Sequence, residues 1–166
     1  MEASMRALPL ALALVAIALA QPAAAQDGRP DRRSCAQATR PVAQALAERA
    51  AAHLAKVGAQ QAFKDFQDPT GGFLDGDLYV FVFDFEGVLR ASGGFPHAVG
   101  RNLIFHHEPA PTNTKGIIKV AREQGKGWFE YVWANPCSGK RETKISYVIK
   151  VGDLIVGVGA YLREGV

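Results

Sequence analysis

The stretch Gly76–Asp84, GDLYVFVFD, decides how the rest of the chain is read. Successive side chains of an extended backbone point to opposite faces. Tyr79, Phe81 and Phe83 therefore share one side, and Leu78, Val80 and Val82 the other. Both sets are apolar and rich in β-branched and aromatic residues, which describes a strand covered on both faces. A helix can cover one of them. The aromatic face is free to line a cavity.

Toward the C-terminus, Asp84-Phe85-Glu86-Gly87 is a glycine-ended turn and Val88–Ser92 a short returning strand, so a hairpin is expected. Ser92–Pro111 is rich in Gly, Pro and His without a period, and reads as a long crossover with one helical turn near Asn102–Phe105. Thr114–Gln124 reads as a helix with Ile117, Ile118 and Ala121 inward and Gly125 at its end. Three strands follow. Gly127–Trp133 places Phe129, Tyr131 and Trp133 on one face and Trp128 on the other, and Asn135–Lys140 is a turn. Lys144–Val151 and Leu154–Leu162 are joined across Gly152-Asp153.

Toward the N-terminus, Asp68–Asp75 is a loop and Gln60–Phe66 a short helix turning Ala62, Phe63 and Phe66 to one side. Before it, Val42, Leu46, Ala50, Leu54 and Val57 recur at helical spacing. Thr39 is its expected N-cap, Pro41 falls in the first turn and Gly58 terminates it. The first residues stand apart from the fold. Arg6 is a short positive region, Ala7–Ala20 is apolar apart from Pro9, and Ala23–Ala25 offer small residues for a signal peptidase. The apolar run is shorter than the roughly 20 residues that span a bilayer. The expected organisation is a signal peptide over residues 1–25 cleaved after Ala25, a flexible segment over 26–36, and one domain over 37–166, exported to the periplasm or secreted.

The net charge of +3 is spread without a basic run, which argues against nucleic acid as a partner. Cys35 and Cys137 are the two cysteines. An isolated pair in an oxidising compartment tends to be joined, although two unpaired thiols remain the alternative. The element order gives an α+β domain: a five-stranded antiparallel sheet with a long N-terminal helix and a crossover helix, the helices on one side.

Several strings go further. GDLYVFVFD with its glycine turn, VGRNL at Val99–Leu103, GWFEYVWANP at Gly127–Pro136 and KISYVIKVGDLIVGVGAY at Lys144–Tyr161 resemble the single Cache domain family, as does the AFKDFQD tail of the short helix. The resemblance spans essentially all of 37–166 and implies a PAS-like extracytoplasmic sensor domain that binds a small molecule between the sheet and its crossover. The bound molecule is often a short carboxylate. The chain departs from the family at Ser92, where a histidine is common, and at His106–Thr114, which replaces an Asp/Gly-rich segment.

The candidate ligand-binding residues are Tyr79, Phe81, His97, Tyr131, Trp133, Lys144 and Tyr147. A carboxylate in an aromatic cleft needs a cation and neutral donors, which Lys144 and the tyrosine hydroxyls offer. On alternation Lys144 and Tyr147 face opposite ways, so both serve one cavity only if a bulge re-aims one. Ordinary core packing is the competing reading for each aromatic, and an exposed strand-edge lysine the one for Lys144. His106, His107 and Glu108 are neighbours, but they lack the spacing of a zinc site, and no metal or cofactor is expected. Ser146 and His97 are the nearest approach to a nucleophile with a base, and no catalytic set emerges. Two functions result. One is a non-enzymatic sensor of a small organic anion such as acetate, propionate, pyruvate or lactate. The other is a structural or interaction module that partners a membrane receptor, or a homodimer through the long helix, with the Tyr131/Trp133 face against the partner.

Overall fold

The computed structural model describes residues 38–162. The expected signal peptide, the flexible segment and Cys35 lie outside the described residues. Helix α1 is Arg40–Val57 and α2 Ala59–Gln67; strands β1 Leu74–Asp75, β2 Leu78–Asp84 and β3 Leu89–Ser92 follow. The crossover carries two 3-10 turns, Pro96–Ala98 and Leu103–Phe105, before α3 at Ala110–Gln124. Strands β4 Lys126–Ala134, β5 Arg141–Val151 and β6 Leu154–Leu162 complete the chain. The sheet is antiparallel in the order β1-β2-β6-β5-β4, with β3 also paired to β2. Five of its strands are those expected; the two-residue β1 is the addition.

β2 is buried along its whole length. Its Leu78, Val80 and Val82 join Val156, Val158 and Ala160 of β6 beneath α1 and α2. Its Tyr79, Phe81 and Phe83 join Val148, Ile155 and Ile117 on the opposite side, under α3. The helices therefore cover both faces, not one as expected. Periodicity identifies the apolar face of a helix, and which side of a sheet that helix reaches depends on the crossover's path.

Two helices differ from their expected form. In α1 the buried residues are Ala43, Leu46, Ala47, Ala50, Ala51 and Leu54, while Val42 and Val57 are 49% and 37% exposed. The small alanines let the helix axis approach the sheet, which turns the two valines to the sides. Helix α3 begins at Ala110, four residues before the expected Thr114. Pro111 falls in its first turn, where a missing N–H costs nothing. The Glu108 carboxylate also accepts from the Thr112 hydroxyl at 3.1 Å.

The turns agree with the sequence. Asp84 Oδ1 accepts from the Val88 N–H at 2.8 Å, Arg90 Nε donates to Asp84 Oδ2 at 2.8 Å, and Gly87 takes φ 86. Asn102 caps the second 3-10 turn by accepting from the Ile104 N–H at 3.0 Å.

Candidate functional site: a cavity between sheet and crossover

On the α3 side of the sheet lies a cavity of about 190 Å³. The sheet supplies Tyr79, Phe81 and Phe83 from β2, Leu89 and Ser92 from β3, and Tyr131 and Trp133 from β4. The crossover supplies Phe95, His97, Ala98, Arg101, Leu103 and His106, and α3 closes the end with Ala110, Asn113, Thr114 and Ile117. Phe95 roofs the space: its ring meets Tyr79 at 5.8 Å, His97 at 6.0 Å and Trp133 at 6.1 Å, each edge-on. This close approach requires Gly94, where a β-carbon would sit 2.5 Å from the Tyr79 ring.

The polar groups are unevenly placed. His97, Arg101 and His106 are exposed and mark the mouth, while Ser92, Asn113 and Thr114 are buried. Asn113 Nδ2 donates to the Val132 carbonyl at 2.9 Å, tying α3 to β4. Ser92 Oγ accepts from the Phe95 N–H at 3.1 Å. No aspartate or glutamate lines the cavity, and no ion pair engages Arg101 among the described residues. Arg101 owes its position to backbone pairing: its carbonyl accepts from the Leu89 N–H at 3.0 Å, and the Leu89 carbonyl accepts from the Gly100 N–H at 2.8 Å.

On the same side of the sheet, behind the Tyr79 ring, sits a second, closed polar group. Lys144 is 0% exposed, with Nζ 3.8 Å above the Tyr79 ring and 4.7 Å from that of Tyr161. Gly159 makes this path across the sheet, since a β-carbon there would lie 2.3 Å from Lys144 Cε. The Tyr161 hydroxyl donates to the Ala134 carbonyl, so it accepts from Tyr79 Oη at 3.2 Å. Burial drives the Lys144 amine well below its ordinary pKa; the nearby Asp77 carboxylate, itself 2% exposed, opposes that only in part. Burial likewise raises the phenols of Tyr79, Tyr131 and Tyr161 above their usual range.

Of the candidate residues, Tyr79, Phe81, His97, Tyr131 and Trp133 meet around the cavity. Lys144 lies on the same side of the sheet but behind the Tyr79 ring, outside the cavity wall, and it is not an exposed edge lysine. Tyr147 lies on the other side, in the core under α1, with its ring 5.0 Å from Trp128. β5 pairs in unbroken register with both neighbours, so no bulge turns Tyr147 back. Ser146 is wholly buried and bonded to the Tyr131 hydroxyl at 3.0 Å, apart from His97 on the mouth. Among the described residues no three His, Cys, Asp or Glu side chains are gathered for a metal ion. Sequence reasoning missed Arg101, Phe95, Asn113 and Thr114 as cavity residues. The available signal was VGRNL itself, which places a cation two residues before a helical turn.

An antiparallel sheet holding a hollow beneath a crossover and helix is the architecture of a PAS-like sensor module. The sequence model of the Cache domain family matches residues 34–165, and the chain belongs to that family. Cache domains are extracytoplasmic sensor domains of chemoreceptors and histidine kinases. The sensor histidine kinase MctS of Rhizobium johnstonii is 27% identical over 92 residues, 53% of this chain; those residues span only 20% of the kinase. A methyl-accepting chemotaxis protein from Vibrio parahaemolyticus superposes with a TM-score of 0.64 at 18% identity, over 80% of this chain and 95% of that one. A Cache chemosensory domain described for its carboxylic acid recognition gives 0.58 at 21% identity, over 73% and 91% of the two chains.

Proposed function

We propose that this domain captures a small organic anion outside the cytoplasm and senses it without catalysing a reaction. The observation that carries this reading is the distribution of charge around the cavity. Its interior is walled by rings, a cation and two histidines stand at the mouth, and no carboxylate among the described residues lines it. An anion entering there meets Arg101 without a competing acid, and an Arg–carboxylate pair is among the stronger polar contacts. The carboxylic acid recognised by the similar Cache chemosensory domain supports the same class of ligand. A thermal-shift screen of small carboxylates on the folded protein tests it, because binding to the native state raises apparent stability. No shift with any of them would end the reading.

Three further elements belong to the proposal. Residues 1–25 act as a signal peptide, which intact mass of the exported protein would reveal. Cys35 is joined to Cys137, which is not a free thiol. The domain passes its signal to a membrane receptor or through a homodimer formed along α1, whose Val42 and Val57 remain outward. Sedimentation with and without ligand distinguishes these last two.

A further inference from the structure

The cavity's size and polarity define which organic acid fits, an inference that rests on the anion-binding reading above. An apolar protein cavity of about 150 Å³ holds a benzene molecule, and this one measures about 190 Å³. The difference leaves room for one small polar group beside a ring. Acetate or propionate would leave most of the volume without contacts, and unfilled space forfeits the dispersion energy of its lining.

Orientation follows from where the charges are. The buried lining is mostly apolar, with Phe81, Phe83, Leu103, Ala110 and Ile117; its polar members Ser92, Asn113 and Thr114 are neutral, and Ser92 and Asn113 are already bonded to the backbone. Arg101 stands at the exposed mouth. Lys144 cannot substitute from within, because it is fully enclosed behind the Tyr79 ring. Phe95, Tyr79 and Trp133 all line the cavity, and a flat aromatic guest can pack against their rings. No carboxylate among the described residues lines the cavity, so an α-ammonium would stand at the mouth as an unpaired like charge beside Arg101, which is unfavourable.

We infer that the cavity takes an aromatic monocarboxylate of benzoate or phenylacetate size, ring inward and carboxylate outward on Arg101, and that it rejects the corresponding amino acid.

Calorimetric titration of the folded protein with phenylacetate, benzoate, acetate, propionate, phenylacetamide and phenylalanine tests this. Phenylacetate or benzoate is expected to bind at least about tenfold more tightly than acetate, phenylacetamide and phenylalanine, each tenfold corresponding to about 1.4 kcal/mol. Arg101→Gln, an exposed position that leaves the core intact, should abolish the preference for acid over amide. Ala110→Leu, checked for folding by circular dichroism, should narrow the space and reverse the preference toward acetate. Acetate or propionate binding more tightly than either aromatic acid would overturn the inference while sparing the organic-acid reading. Equal binding of acid and amide, or an acid preference that survives Arg101→Gln, would overturn the orientation. If none of the six binds, the anion-binding reading itself fails.

Discussion

At Lys144 an amine is enclosed among rings, and enclosure favours its neutral form. The folded-state pKa lies well below that of the unfolded chain, with desolvation the leading cause and Asp77 opposing. Between those two values the unfolded chain binds the extra proton, so stability rises with pH and is lowered toward neutrality. Lys144→Met removes this effect. Its stability advantage over the parent should shrink as pH rises from about 7 toward the ordinary lysine value of about 10.4, as read by urea denaturation at several pH values. An advantage independent of pH would contradict the assignment. The raised tyrosine values act oppositely, since folded tyrosines keep their protons where unfolded ones lose them, but both proteins share that loss above about 10. Gly159 is a second test at this scale. A β-carbon there would meet Lys144 and Ser146 at 2.3 Å, so Gly159→Ala should cost about 1–3 kcal/mol as an overpacked site.

Among the elements, α1 offers a direct comparison between two positions of one expected stripe. Leu46 is buried and Val42 is 49% exposed. Leu46→Ala should cost about 2–5 kcal/mol, and Val42→Ser should stay within about 0.5 kcal/mol, both measured by chemical denaturation. Asn113→Ala should detach α3 from the Val132 carbonyl and destabilise by about 1–2 kcal/mol. The strands were legible because alternation is a strict period of two: β6 matches its expected span of Leu154–Leu162, and β2 divides its faces as read. The beginning of α3 was not, because Pro109 and Pro111 look like loop residues until the chain's path places them at a helix N-terminus. Helix stripes were legible only to within a turn, since alanines contribute little hydrophobic contrast yet decide how closely a helix can lie.

For the molecule as a whole, the fold class, the order of elements and five cavity residues could be read from local pattern and the family's motifs, whereas the pairing of β2 with β6 joins strands that no hairpin connects. The mouth could not. Arg101 lies in a segment without a period, and only its pairing with Leu89 brings it over the sheet. Asp77, just before β2, comes near Lys144 of β5 only through the folding of elements distant in sequence. The same scale holds the disulfide. If Cys35 and Cys137 are joined, reduction should lower stability by about 4 kcal/mol through the long loop it opens, and mass spectrometry of the alkylated chain before and after reduction would show the linkage.

One ring separates two compartments in this domain. Tyr79 lines the hollow, and the same ring covers the amine of Lys144. Tyr79→Ala would merge them into a single deeper chamber with a basic floor. Such a protein would offer its charge at the bottom instead of the entrance, and a guest would have to turn end for end. Acylation of Lys144 by an amine-reactive reagent, absent in the parent and present in the variant, would report that the partition had gone.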